Sequence, residues 1–123
     1  MRAAAVPPGW PAGMHPPESP EFEKQAVNWL LDLCPPDYRA YEVLRRHPVI
    51  LARFAAGQVE AAIAATRAGL AGARADLADL VPPEALDAAL AAYDRELARL
   101  SVASRAVEVV GQALKGRRFR AKL

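Results

Sequence analysis

One cysteine and two histidines in 123 residues leave little room for metal or redox chemistry. A single thiol forms no internal disulfide, so a reducing cytoplasm is the simplest setting. A structural zinc site takes four ligands with local pairs, more than Cys34, His15 and His47 supply. No glycine-rich phosphate loop is present, and Gly69 and Gly72 fall inside a helical pattern where they permit close helix approach. No apolar run approaches the roughly 18–20 residues that span a bilayer. The opening "MRAAAVPPGWPAGM" is too proline-rich for a secretory signal. Aromatics make up 7% against 53% hydrophobic residues, so the apolar content is alanine, leucine and valine. No catalytic residue, cofactor, metal or small-molecule ligand is expected from this inventory.

What the sequence does have is proline at its start and positive charge at its end. Pro7, Pro8, Pro11, Pro16 and Pro17 mark residues 1–18 as an extended or disordered leader, on which Trp10 and Met14 offer two contacts for the folded body. The last nine residues hold Lys115, Arg117, Arg118, Arg120 and Lys122 and no acid, while the remainder carries 11 bases and 14 acids.

Between leader and tail, proline spacing predicts one helical domain over residues 19–115, with helices near 20–33, 36–46, 48–80 and 83–115. Ser19 is the expected N-cap of the first, followed by Pro20 at its first position. Phe22, Ala26, Trp29, Leu30 and Leu33 form its buried stripe, and Val27 with Leu31 forms a second apolar pair, a candidate partner surface. Tyr38, Tyr41 and Leu44 are the inward side of the short second helix. Alanine fills 21 of the 66 positions from Val49 to Leu114, which biases both long segments to helix.

Only "VPP" separates the long helices, so they must double back as an antiparallel, coiled-coil-like hairpin. Val59, Ile63, Thr66, Leu70, Ala73, Leu77 and Leu80 alternate steps of four and three. Leu86, Leu90, Tyr93, Leu97, Leu100, Ser104, Val107, Gly111 and Leu114 do the same, and the two rows define the seam. A bend at Val81–Pro82 sets facing residue numbers to total 166 or 167, so that Leu80 meets Leu86 and Ala73 meets Tyr93. Arg74 then falls between Asp87 and Asp94, and Arg67 reaches Asp94, whereas Glu60 opposite Glu108 has no explanation in that register. The extra apolar positions at the open end, Ile50, Leu51 and Phe54 with Val102, Ala106, Val109, Val110 and Ala113, predict that the two short helices dock there.

"LCPPD" after the first helix and "LVPPE" at the hairpin tip are the same corner used twice, with Val81 standing where Cys34 stands. A position whose counterpart is valine asks for a small hydrophobe, as buried free cysteine does. His47 is the base that best approaches Cys34 across the short helix, but the corner reading accounts for the stretch without chemistry. Asp76, Asp79, Glu84 and Asp87 gather at the tip as a solvated helix end.

In "KGRRFRAKL", Gly116 suits a helix C-cap and the bases complement the negative helix end. The same Lys115, Arg117, Arg118, Phe119, Arg120 and Lys122 also make a basic peptide with an interleaved aromatic, able to contact nucleic-acid phosphates weakly and without sequence preference.

The stretch "AVNWLLDLCPPDYRAYEVLRRHPVILAR", residues 26–53, followed by alanine-rich helices and "ALKGRRF", resembles a group of short, alanine-rich helical proteins of high-GC actinobacteria. The resemblance spans roughly Phe22 to Arg120 and implies no activity. The expected function is therefore a non-enzymatic, cytoplasmic interaction or self-associating scaffold protein. A nucleic-acid-associated protein using the tail is the alternative.

Overall fold

A computed structural model describes the backbone of residues 6–121 and the side chains of residues 6–116. Among the described residues every regular element is helical. Helix α1 runs Phe22–Asp32, a 3₁₀ helix Pro36–Ala40, α2 Glu42–Arg46, α3 Pro48–Leu77 and α4 Pro83–Ala121.

The proline-rich segment lies on this body from residue 6 onward. Pro7 and Pro11 carbonyls close two turns by accepting from the Trp10 and Met14 amides. The Trp10 ring packs on Phe22 with centroids 5.3 Å apart, and its Nε1–H donates to the Met14 carbonyl at 3.2 Å. Gln25 of α1 ties the segment down from both sides: its Nε2 donates to the Gly13 carbonyl, and its Oε1 accepts from the His15 amide at 2.7 Å. Gly9 has φ +89°, and a Cβ there would lie 2.6 Å from Cγ of Arg105 on α4, so neither its conformation nor its surroundings admit a side chain. The missing amides of proline exclude a helix here, but not packing.

Ser19 is not the N-cap: its Oγ accepts from the Glu21 amide at 3.2 Å in the turn before α1, which starts at Phe22 with Glu21 in the cap place and no side-chain cap hydrogen bond. Phe22, Ala26, Leu30 and Leu31 are its buried residues. The expected second helix is split instead. Tyr41 is extended (φ −85°, ψ 100°) between the 3₁₀ helix and α2, which lets the Tyr38 ring meet both Tyr41 and Phe54.

Both corners use the first proline to cap and the second to begin the next helix. The Pro35 carbonyl accepts from the Tyr38 amide, and the Pro82 carbonyl from the Ala85 amide, each at 3.0 Å. The long helices pack together as a hairpin. Its register differs from the expected one. The Tyr93 ring lies on Gly69, and a Cβ on Gly111 would sit 3.7 Å from that of Ala52. These pairs total 162 and 163, about one helical turn short of 166–167.

The tip explains the slip. Helix α3 stops at Leu77, whose carbonyl accepts from the Leu80 and Val81 amides, so residues 78–82 form the bend rather than Val81–Pro82 alone. Leu80 leaves the seam and is 75% exposed, while Leu86 is buried. The expected bridges from Arg74 and Arg67 to α4 do not form. The ion pairs among the described residues are Arg39–Asp32, Arg46–Glu42, Arg99–Glu96 and Arg105–Glu108, none of which joins α3 to α4.

The core sits at the open end of the hairpin. Met14, Phe22, Leu30, Leu31, Leu44, Leu51, Ala55, Val59, Leu100, Val107, Val110 and Leu114 are buried in one cluster. Beyond it, toward the tip, α3 and α4 have no further helix against them among the described elements. Gly116 does not end α4, which continues helically to Ala121, so the expected cap is absent.

Candidate interaction surfaces

The seam residues divide by position. In the head, Val59, Leu100, Val107 and Leu114 are buried. In the arm, Ile63, Thr66, Leu70, Leu77, Leu90, Tyr93 and Leu97 are only half-buried, with Ala73 and Leu86 covered. Two helices cannot enclose a seam on both flanks, so the leucines keep one side toward solvent. The outward line of α3, Gly57, Ala61, Ala64, Ala68, Ala71 and Ala75, is exposed and uncharged, with steps of four and three.

That second apolar line changes one sequence-based expectation. Uninterrupted apolar runs are short because Arg53 and Glu60 break them. Even so, α3 has an 18-residue window of mean hydropathy 1.3 and is long and apolar enough, by length and composition, to cross a membrane. Only 22% of that window is buried.

The Val27–Leu31 surface is not available to a partner. Leu31 is 2% exposed and Val27 packs against the same core, with α3, α4 and the 3₁₀ helix all in contact with α1. The exposed apolar groups lie elsewhere: Tyr41 at 52%, Val43 at 50%, Phe54 at 43%, Ile50 at 38% and Val102 at 71%. Tyr38, Tyr41, Val43, Leu44 and Phe54 line a hollow of about 390 Å³ beside α2. The surplus of apolar positions at the open end signalled this patch, but the pattern assigned all of them to packing.

A longer groove of about 570 Å³ runs between α3 and α4 over Ala52, Ala56, Val107 and Gly111. Arg53, Glu60, Glu108 and Lys115 stand along it, and Glu108 pairs with Arg105. Glu60 and Glu108 thus share a groove with two bases.

Cys34 is buried at the corner, its amide donating to the Leu31 carbonyl at 3.0 Å. Burial pushes its thiol above the ordinary value of 9.0, and the Arg39 guanidinium offsets part of that. A thiol so disposed holds its proton at neutral pH and is a poor nucleophile. Among the described residues no three His, Cys, Asp or Glu side chains come together in a way that holds a metal ion. Asp76, Asp79, Glu84 and Asp87 are each exposed. In the tail, Lys115 is exposed. Arg117, Arg118, Phe119 and Arg120 lie on the helical backbone of α4 with undescribed side chains, and Lys122 lies outside the described residues.

Compared with known families, curated proteins and solved structures, the chain matches none.

Proposed function

We propose that this is a non-enzymatic, cytoplasmic interaction protein whose two-helix arm receives a helix of another protein or of a second copy. One observation carries the reading: α3 is apolar on two sides along the arm, with half-covered leucines toward α4 and an uncharged alanine line outward. A solvated helix face ordinarily carries charge, and one that does not is ordinarily covered. Small residues let a partner backbone approach closely, so dispersion contacts accumulate over the length of the helix.

Light scattering on the eluting full-length protein, with a pull-down alongside, tests this reading. Association is expected, and Ala64→Glu/Ala68→Glu/Ala71→Glu should abolish it while leaving the helical circular dichroism unchanged, since glutamate is a good helix former. A strictly monomeric protein that retains no partner would sink the proposal.

A further inference from the structure

We propose that the open end of the hairpin docks on an anionic lipid surface, using the exposed apolar patch of α2 and α3 together with the surplus of bases at that end. The proposal uses the end opposite the arm tip and stands whether or not the arm takes a helical partner.

Two placements carry it. The first is charge. The segment from Tyr41 to Arg53 and the end of α4 from Gly111 to Ala121 hold seven bases and one acid. The start of α1 lies at the same end with Glu18, Glu21, Glu23 and Lys24, and still leaves four net positive charges. The tip, residues 74–94, has one base and five acids. The molecule is therefore polarised along its length, which orients it toward an anionic plane before contact. Because Ala52 faces Gly111, Pro48 is level with about residue 115. Helix α4 continues to Ala121, about 9 Å further at about 1.5 Å per residue. The backbone bearing Arg117, Arg118 and Arg120 thus projects beyond the start of α3.

The second placement is the apolar patch itself. Tyr41, Val43 and Phe54 border one hollow, and Ile50 precedes Phe54 by one turn on the same face of α3. Arg45 of α2 and Arg53 of α3 are exposed in the same segments, and Arg53 lines the groove that Ile50 also borders. Nucleic acid would use aromatic faces for stacking. Here two of the four exposed side chains are aliphatic, which have nothing to stack with but partition into acyl chains. A shallow apolar face with arginines in the same segments is the chemistry of interfacial binding, in which hydrocarbon burial and attraction to anionic headgroups add.

Co-sedimentation of the full-length protein with vesicles tests this. One set is phosphatidylcholine alone, the other phosphatidylcholine doped with phosphatidylglycerol, each at low and high salt. Binding is expected to the doped vesicles and to weaken with salt. Arg45→Gln and Arg53→Gln should each weaken it about fivefold, and Ile50→Ser/Phe54→Ser roughly tenfold or more. The arginines are exposed and Ile50 and Phe54 are partly so, and circular dichroism should stay helical at the assay temperature even where loss of the Phe54–Tyr38 contact lowers Tm. Leu80→Ser, an equally exposed apolar loss at the acidic tip, should leave binding as it was. Equal binding to both vesicle types, sensitivity to Leu80→Ser, or binding to a single-stranded oligonucleotide without binding to vesicles would each overturn the proposal.

Discussion

Replacing Gly69 with alanine opposes two well-defined effects. In an exposed helix interior the change should stabilise by about 1 kcal/mol, the ordinary difference in helix propensity. At Gly69 the new Cβ would stand 2.5 Å from Cε1, 2.8 Å from the hydroxyl oxygen and 2.9 Å from Cζ of Tyr93. Carbon atoms pack at about 3.5–4.0 Å, so the ring must move by roughly 1 Å or leave the seam. Overpacking of this kind costs about 1–3 kcal/mol, giving a net loss of about 0–2 kcal/mol. Gly57 provides the internal control, since a Cβ there meets nothing within 4 Å and Gly57→Ala should gain the full propensity term. The two variants should thus differ by about 1–3 kcal/mol, read as urea midpoints or as Tm. Each kcal/mol shifts Tm by about 3–6 °C in a chain of this size. In a Tyr93→Ala background, Gly69→Ala should become stabilising, because the obstructing ring is gone. If Gly69→Ala raises Tm as much as Gly57→Ala in the parent protein, the Tyr93 ring is not held against Gly69 and that contact does not fix the register.

Other expectations follow from burial and titration. The Cys34 thiol should react slowly with a disulfide reagent at neutral pH and quickly after denaturation. Its folded pKa lies above the unfolded one, so its contribution to stability is whole below about pH 9 and is lost as pH rises. Cys34→Val should remove that alkaline loss, measured as the difference in Tm between the two proteins across pH 8–10. Deleting residues 1–15 takes away Trp10, Met14 and the anchors of Gln25, and should lower unfolding free energy by about 2–4 kcal/mol. An unchanged urea midpoint would show that the segment does not pack. Tyr38→Phe removes the hydroxyl that accepts from Gln58 Nε2 at 3.0 Å and should cost about 0.5–1.5 kcal/mol. A midpoint identical to the parent's would rule that hydrogen bond out as a contributor.

The all-helical class and the hairpin were legible because proline placement and heptad spacing are local, covalent facts. Pro48 and Pro83 start the long helices, and the chain between Leu77 and Pro83 is too short for anything but a reversal. Register was not legible, since it turns on how many residues the bend consumes. Hydrogen bonds to the Leu77 carbonyl draw Ala78, Asp79 and Leu80 out of the helix, and each extra bend residue slides one rod along the other. Apolar spacing likewise found Leu51 and Phe54 but could not tell that the first is fully covered and the second 43% exposed. Coverage depends on where α2 ends up, and that follows from the extended Tyr41, which no residue type in the sequence announces. The leader misled for a related reason: proline density forbids helix without forbidding contact, and the Trp10–Phe22 stack is a tertiary fact. For the surfaces, the sequence marked the seam and the basic tail, whereas the Tyr41, Val43, Ile50 and Phe54 patch emerged only as what the head leaves uncovered.

Every surface described above depends on how the two long rods lie against each other, and cysteine cross-linking reads that placement directly. In a Cys34→Val background, Ala52→Cys/Gly111→Cys puts two Cβ atoms 3.7 Å apart, within the roughly 3.5–4.5 Å of a relaxed disulfide. Mild oxidation should give a complete intramolecular bond, mapped by mass spectrometry of the digested monomer. Ala52→Cys/Lys115→Cys, the pair matching a bend at Val81–Pro82, should stay reduced. The opposite pattern would contradict the hairpin as described.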